Sequence, residues 1–141
     1  SHLVDQNRLD EAVQVVRTGL NEEPGDIRLL TLAGRTQERL GNIDLANDRY
    51  ARAARESRFA TVNTMNFVDF LYRVERLGAA ETVLSEAVRR RPNSAEIAER
   101  LGFTREGVQR EGYLLHGSYV DTVMYSVLSR EWKKASADRG Q

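Results

Sequence analysis

The chain has 141 residues, 40% of them hydrophobic, which suits one domain with a single core. Lys plus Arg and Asp plus Glu each total 21, so no net field favours nucleic acid, a membrane surface or an acidic substrate. There is no Cys for a disulfide, and no apolar run approaches the roughly 20 residues that span a bilayer. We expect a soluble protein without nucleic-acid or membrane partners; its compartment stays open, with cytoplasm slightly favoured over periplasm.

The first two thirds of the chain contain a sequence repeat with a period of about 34 residues. Its columns are Ala12, Ala46 and Ala80; Val16, Tyr50 and Leu84; Gly19, Ala53 and Ala87; and Pro24, Arg58 and Pro92. This pattern resembles the second helix of the tetratricopeptide repeat, where small side chains let helices approach and Pro ends the helix. The resemblance predicts antiparallel helical hairpins over residues 1–93, stacked as an α-solenoid.

The first repeat is represented mainly by its second helix, at about Leu9–Glu22, with Asn7 at the turn before it. The second repeat is nearly complete. Its first helix carries the large-small-small set Leu30, Ala33 and Gly34, and Leu40-Gly41 makes the turn into its second helix.

The third repeat is irregular in sequence. Leu77-Gly78 falls three residues late relative to Leu40-Gly41, which predicts that the preceding helix has moved and that the turn has shortened. The helical periodicity survives the shift. It places four core residues on the first helix of this repeat, namely Phe67, Phe70, Leu71 and Val74.

First helices of such a stack line a concave surface, where these repeats usually bind peptides. Six polar or aromatic residues are the candidate peptide groove: Arg28, Arg35, Arg39, Asn66, Tyr72 and Arg76. A solvated face without a ligand is the alternative. The carboxylate-binding pattern known in this family needs paired Lys and Asn at set positions, and the sequence does not match it.

Beyond the repeats, a helix is predicted over residues 94–102, with a capping box formed by Asn93 and Glu96. Its inward residues are Ile97, Ala98 and Leu101. A fourth repeat is rejected, because its first helix would have to contain Gly107 and Gly112. The aromatic and β-branched runs Val108–Leu115 and Tyr119–Leu128 instead predict a strand hairpin around His116-Gly117-Ser118, with His116 as a turn residue and not a metal ligand.

This C-terminal part resembles the end of the GNAT acyltransferase superfamily, closest to the branch that acetylates ribosomal-protein N-termini. The matching residues are Ser94-x-x-Ile97-Ala98-Glu99-Arg100-Leu101-Gly102-Phe103, Glu106-Gly107, Arg110-Glu111, Gly117-x-Tyr119-x-Asp121, Tyr125-Ser126 and Glu131-Trp132. The resemblance implies the last helix and last two strands of that fold. It does not include the loop that holds acetyl-CoA, and Arg91 stands where the family commonly has Asn. We therefore expect no cofactor, no catalytic residues and no enzymatic activity.

The predicted hairpin suggests self-association, because an isolated two-stranded ribbon is marginal in water. Its candidate contact residues are Tyr119, Val123, Tyr125 and Val127. They would pair two chains as a homodimer, and the alternative is that the ribbon caps the helical stack.

The sequence thus predicts a mainly α fold that becomes α+β through its C-terminal hairpin. Its domains are 1–93, 94–132 and a disordered tail at 133–141. The expected function is a non-enzymatic module that binds proteins or peptides. Two alternatives stay open: an engineered or recombined chimera spliced within Ser94–Gly102, and an acetyltransferase fragment that is inactive or needs a partner chain.

Overall fold

A computed structural model describes the backbone of residues 2–114 and the side chains of residues 5–109. This part of the chain forms six helices joined by short turns: α1 His2–Glu22, α2 Ile27–Arg39, α3 Ile43–Glu56, α4 Thr61–Arg73, α5 Leu77–Arg90 and α6 Ala95–Leu114. The chain divides into two compact units, Ser1–Phe70 and Leu71–Gln141, with the division inside α4.

The helix bounds recur with the same period as the sequence pattern. The starts of α2, α4 and α6 are separated by this spacing, as are the starts of α3 and α5 and the ends of α1, α3 and α5. The period read from the small residues is therefore confirmed as a helical repeat. α1 differs from the prediction, because it is helical from His2 and contains Asn7, which was expected at a turn.

The turns inside the hairpins also repeat. After α2, the N–H of Asn42 donates to the carbonyl of Gln37 at 2.9 Å, and after α4 the N–H of Arg76 donates to the carbonyl of Leu71 at 2.8 Å. Gly41 takes a left-handed conformation at φ 85°, and Glu75 does the same at φ 60°. These bonds satisfy carbonyls that the helix end leaves open, as in the common glycine-terminated helix ending.

The predicted irregularity of the third repeat is therefore wrong. Leu77 and Gly78 are not a turn but the first residues of α5, where the Leu77 side chain is buried. α4 lies at the same position in its repeat as α2 does, and the turn after α4 is as long as the turn after α2. The Leu-Gly pair misled the prediction because a glutamate, Glu75, occupies the left-handed position that glycine normally takes.

The first unit has a core of small and aromatic residues. A Cβ on Gly34 would lie 3.0 Å from the ring of Tyr50, which is closer than most such contacts, so glycine at this position favours the close packing of α2 against Tyr50 of α3. The Tyr50 ring lies 5.0 Å from that of Phe70, and its hydroxyl donates to Glu38 at 3.1 Å. Asp26 caps the N-terminus of α2, because its carboxylate accepts a hydrogen bond from the N–H of Leu29 at 3.1 Å.

In the second unit α5 packs against α6. The buried residues are Leu77, Ala80, Leu84 and Ala87 from α5 and Ile97, Leu101, Thr104 and Gly107 from α6. Ser94 caps α6, because its Oγ accepts from the N–H of Ile97 at 3.3 Å, so the cap is one residue later than the predicted Asn93. Ala98, predicted to face inward, is exposed.

The predicted α+β class is wrong. α6 continues to Leu114 through Gly102 and Gly107, so the first predicted strand, Val108–Leu115, is helical wherever the structure describes it. No strand occurs within residues 2–114. Ile97, Leu101, Thr104 and Val108 share one helix face. The packing of this mainly apolar face outweighs the local preference of β-branched and aromatic residues for strands.

The predicted hairpin is wrong, because its first strand is helical, and the homodimer predicted through it is not tested by the structure. The second strand Tyr119–Leu128 and the self-association residues Tyr119, Val123, Tyr125 and Val127 lie outside the described residues, as does the tail at 133–141.

Candidate functional site

One face of α2 carries three of the six predicted groove residues. Arg28, Leu32, Arg35 and Arg39 are all exposed and follow helical spacing, so they form a single stripe along the helix. We call these four residues the α2 stripe. The opposite side of the helix is buried at Leu30 and Gly34, which fixes the direction in which the stripe points.

The α2 stripe is cationic, and it contains no acidic residue that would neutralise its charge. Within residues 5–109, none of the three arginines makes an ion pair or a side-chain hydrogen bond, and no carboxylate belongs to the stripe. Elsewhere in the same range arginines are paired, for example Arg90 with Glu86 at 2.8 Å and Arg105 with Glu81 at 3.3 Å. The stripe therefore offers guanidinium groups whose hydrogen-bonding capacity is open to an external anion.

The other three predicted groove residues differ from one another. Asn66 on α4 is half-buried and occupies the repeat position of Leu32 on α2. Tyr72 is buried, with its hydroxyl bonded to that of Thr104 and its ring 5.7 Å from the Arg100 guanidinium. It therefore packs within the second unit and presents almost no surface to a peptide. Arg76 lies in the turn before α5, at its N-cap.

A groove that sequence reasoning missed lies between the first three helices. Its volume is about 240 Å³. Its lining comprises Val13, Val16, Arg17, Leu20 and Asn21 of α1, Ala33, Thr36 and Gln37 of α2, and Leu45 and Arg49 of α3. The sequence offers only a weak indication of this groove, because Leu20 and Leu45 resemble ordinary core residues. The space between them exists only because three helices pack together.

The rim of this groove is polar. Arg17 is exposed and, within residues 5–109, has no hydrogen-bond or ion-pair partner. Arg49 is held by the neighbouring Asp48 at 2.5 Å. Gln37 accepts a hydrogen bond from the side-chain amide of Asn42 at 2.7 Å. The groove thus combines an apolar floor with one open cation, an arrangement that suits binding more than catalysis.

No described side chains suggest catalysis or metal binding. Among the described residues no group of three or more His, Asp or Glu could hold a metal ion, and no helix is long and apolar enough to cross a membrane. The pKa of Glu86 is lowered, chiefly by the hydrogen bond from Arg89. This carboxyl belongs to a surface ion-pair cluster on α5, not to a cleft where acid-base chemistry would occur.

Comparison with known proteins gives one partial relationship. No family model matches the chain. The chain is 37% identical over 62 residues to a protein of Bacillus subtilis (strain 168) named "Putative ribosomal N-acetyltransferase YdaF". The matched part is 44% of this chain and 33% of the Bacillus protein, so the chain spans about a third of that relative's length. Part of the chain is therefore similar in sequence to a protein whose name includes acetyltransferase, and this similarity supports the predicted resemblance to acetyltransferases.

Proposed function

We propose that the chain is a non-enzymatic interaction module of the tetratricopeptide type, whose α2 stripe binds an acidic segment of another protein. The observation that carries the proposal is the row of three exposed arginines on one helix face, none of which has a partner within residues 5–109. The helical repeat supports it, because repeats of this kind present rows of helix faces to peptides.

The chemistry of the stripe favours a protein segment over a nucleic acid. Leu32 lies between Arg28 and Arg35, so a partner would need an apolar contact flanked by anions. The chain as a whole has zero net charge, and it lacks the broad positive field that phosphate-backbone binding requires. Carboxylates match the planar guanidinium fork well, and Glu or Asp beside an aliphatic residue would satisfy the whole stripe.

Fluorescence anisotropy with labelled twelve-residue peptides tests the proposal. One peptide alternates Glu with Leu, and its counterpart carries Lys in place of Glu. We expect the Glu peptide to bind and Arg35→Glu to weaken it about tenfold, because a like charge replaces an open cation at the centre of the stripe. Arg55→Glu is the matched control, since Arg55 is an exposed helical arginine away from the stripe and likewise unpaired within residues 5–109. Equal binding of the Glu and Lys peptides would contradict the proposal.

One observation favours a second function, N-acetyl transfer: the similarity to the Bacillus protein whose printed name includes that activity. Against it stands the sequence, which lacks a glycine-rich loop opening a helix for the pyrophosphate of acetyl-CoA. We therefore rank transfer second.

A further inference from the structure

The groove between α1, α2 and α3 exposes aliphatic surface that the fold itself does not cover. Its aliphatic lining comes from Val13, Val16 and Leu20 of α1, Ala33 of α2 and Leu45 of α3. Leu45 remains 38% exposed, which is unusual for a leucine between packed helices. Burying such surface under an incoming side chain would be favourable, because each buried CH₂ contributes about 0.8 kcal/mol.

The charged residues around the groove favour a partner with a negative charge. None of its ten lining residues is a carboxylate, and two are arginines. Arg49 is neutralised by Asp48 at 2.5 Å, whereas Arg17 has no partner within residues 5–109. Asn21, one helical turn beyond Arg17, also makes no side-chain hydrogen bond in that range and offers both a donor and an acceptor. One open cation and one open amide therefore stand beside an apolar floor.

The groove is separate from the α2 stripe. Both involve α2, but the groove uses Ala33, Thr36 and Gln37 whereas the stripe uses other residues of the same helix. At about 100° of rotation per residue, the two faces point roughly 120° apart around α2. A ligand on one face would leave the other free.

We infer that the groove is a second binding site, which takes a peptide segment with one aliphatic side chain followed within a few residues by a carboxylate. The aliphatic side chain enters between Leu20 and Leu45, and the carboxylate meets Arg17. The volume of about 240 Å³ suits one or two side chains and not a whole cofactor. The inference rests on the proposed role in protein binding, and it adds a site and a partner chemistry.

Labelled twelve-residue peptides in a Gly/Ser background provide the test. Each contains one Leu and one Glu separated by one, two or three residues, and the counterparts replace Glu by Lys or Leu by Ser. At least one Leu/Glu peptide should bind the full chain about tenfold more tightly than both counterparts, and its affinity should fall as salt rises. Failure of every Leu/Glu peptide to bind at about 1 mM, the level of a very weak complex, would overturn the inference.

Variants then locate the site. Arg17→Glu should lower the affinity for the Leu/Glu peptide about tenfold and should improve binding of the Lys counterpart. Leu45→Ser should weaken the binding of both peptides. Arg8→Glu is the control, because Arg8 is an exposed residue of the same helix, is unpaired within residues 5–109 and lies outside the groove. Circular dichroism of each variant verifies the helical fold.

The outcomes separate this inference from the proposed function. Loss of binding in Arg35→Glu with no change in Arg17→Glu would overturn the groove site and leave the α2 stripe standing. Loss in Arg17→Glu alone supports the groove site. If neither substitution changes binding of any acidic peptide, both proposals fall.

Discussion

Leu84 shows how a single residue defines the register of the repeat. It has no exposed surface and occupies the same column as Tyr50, which is 2% exposed, and Val16, which is 8% exposed. The column reaches the core in both units because its members recur once per repeat on the second helix of each hairpin. Arg28, in contrast, is exposed and unpaired within residues 5–109.

Truncation of these two residues should have very different effects. Leu84→Ala leaves a cavity in the core and should lower the free energy of unfolding by about 2–5 kcal/mol. Arg28→Ala should change it by well under about 1 kcal/mol, because an exposed, unpaired side chain loses little. Urea denaturation monitored by circular dichroism measures both. Equal stabilities would show that the register of the repeat is misplaced.

At the scale of elements, glycines distinguish turns from helices. Gly41 ends the α2 turn at φ 85°, whereas Gly102 lies inside α6 with open space where a Cβ would be. Sequence alone interprets both as breaks, because glycine is common at helix ends and rare in helix interiors. The apolar face through Ile97 and Leu101 is what carries α6 past Gly102.

The same substitution should therefore have opposite signs at these two positions. Gly41→Ala should lower the free energy of unfolding by about 1–2 kcal/mol, because a Cβ is strained in the left-handed region. Gly102→Ala should raise it by up to about 1 kcal/mol, because alanine favours the helix interior. Thermal denaturation of the pair measures the difference. A destabilising Gly102→Ala would mean that the helix does not continue through this residue.

Much of the helical architecture could be predicted from sequence, because the repeat depends on small residues that packing requires at fixed spacing. Ala46, Ala80 and Ala87 are all fully or almost fully buried. The turn at Glu75 could not be predicted, since a non-glycine residue in the left-handed region leaves no compositional mark. The prediction of a strand at Val108–Leu115 was wrong, because the packing of α6 against α5 outweighs the local strand propensity of these residues.

The candidate sites also include one that could be predicted from the sequence and one that could not. The α2 stripe was predictable from helical spacing once α2 itself was recognised, and Arg28, Arg35 and Arg39 do share a face. The groove was not predictable, because it exists only where three helices meet. Tyr72 was predicted as a groove residue because an aromatic side chain with a hydroxyl suits either a groove or a core. In the structure it is buried, and its hydroxyl is bonded to that of Thr104.

At the scale of the whole molecule, two relationships compete for the function. The helical repeat favours a binding module, and the 37% identity over 62 residues to the Bacillus protein favours a transferase. The chain spans only 33% of that protein, so similarity alone does not transfer the activity. What separates the two is whether the chain holds the cofactor that every acetyl transfer from acetyl-CoA requires.

Calorimetric titration of the full chain with acetyl-CoA measures this most directly. We expect no binding heat at cofactor concentrations up to about 1 mM, because the sequence has no glycine-rich motif for a loop that would offer backbone N–H groups to the pyrophosphate, and Arg91 stands where the acetyltransferase family that the sequence resembles commonly has Asn. A dissociation constant near 1 μM, equivalent to about 8 kcal/mol of binding free energy, would contradict a non-enzymatic role for the chain.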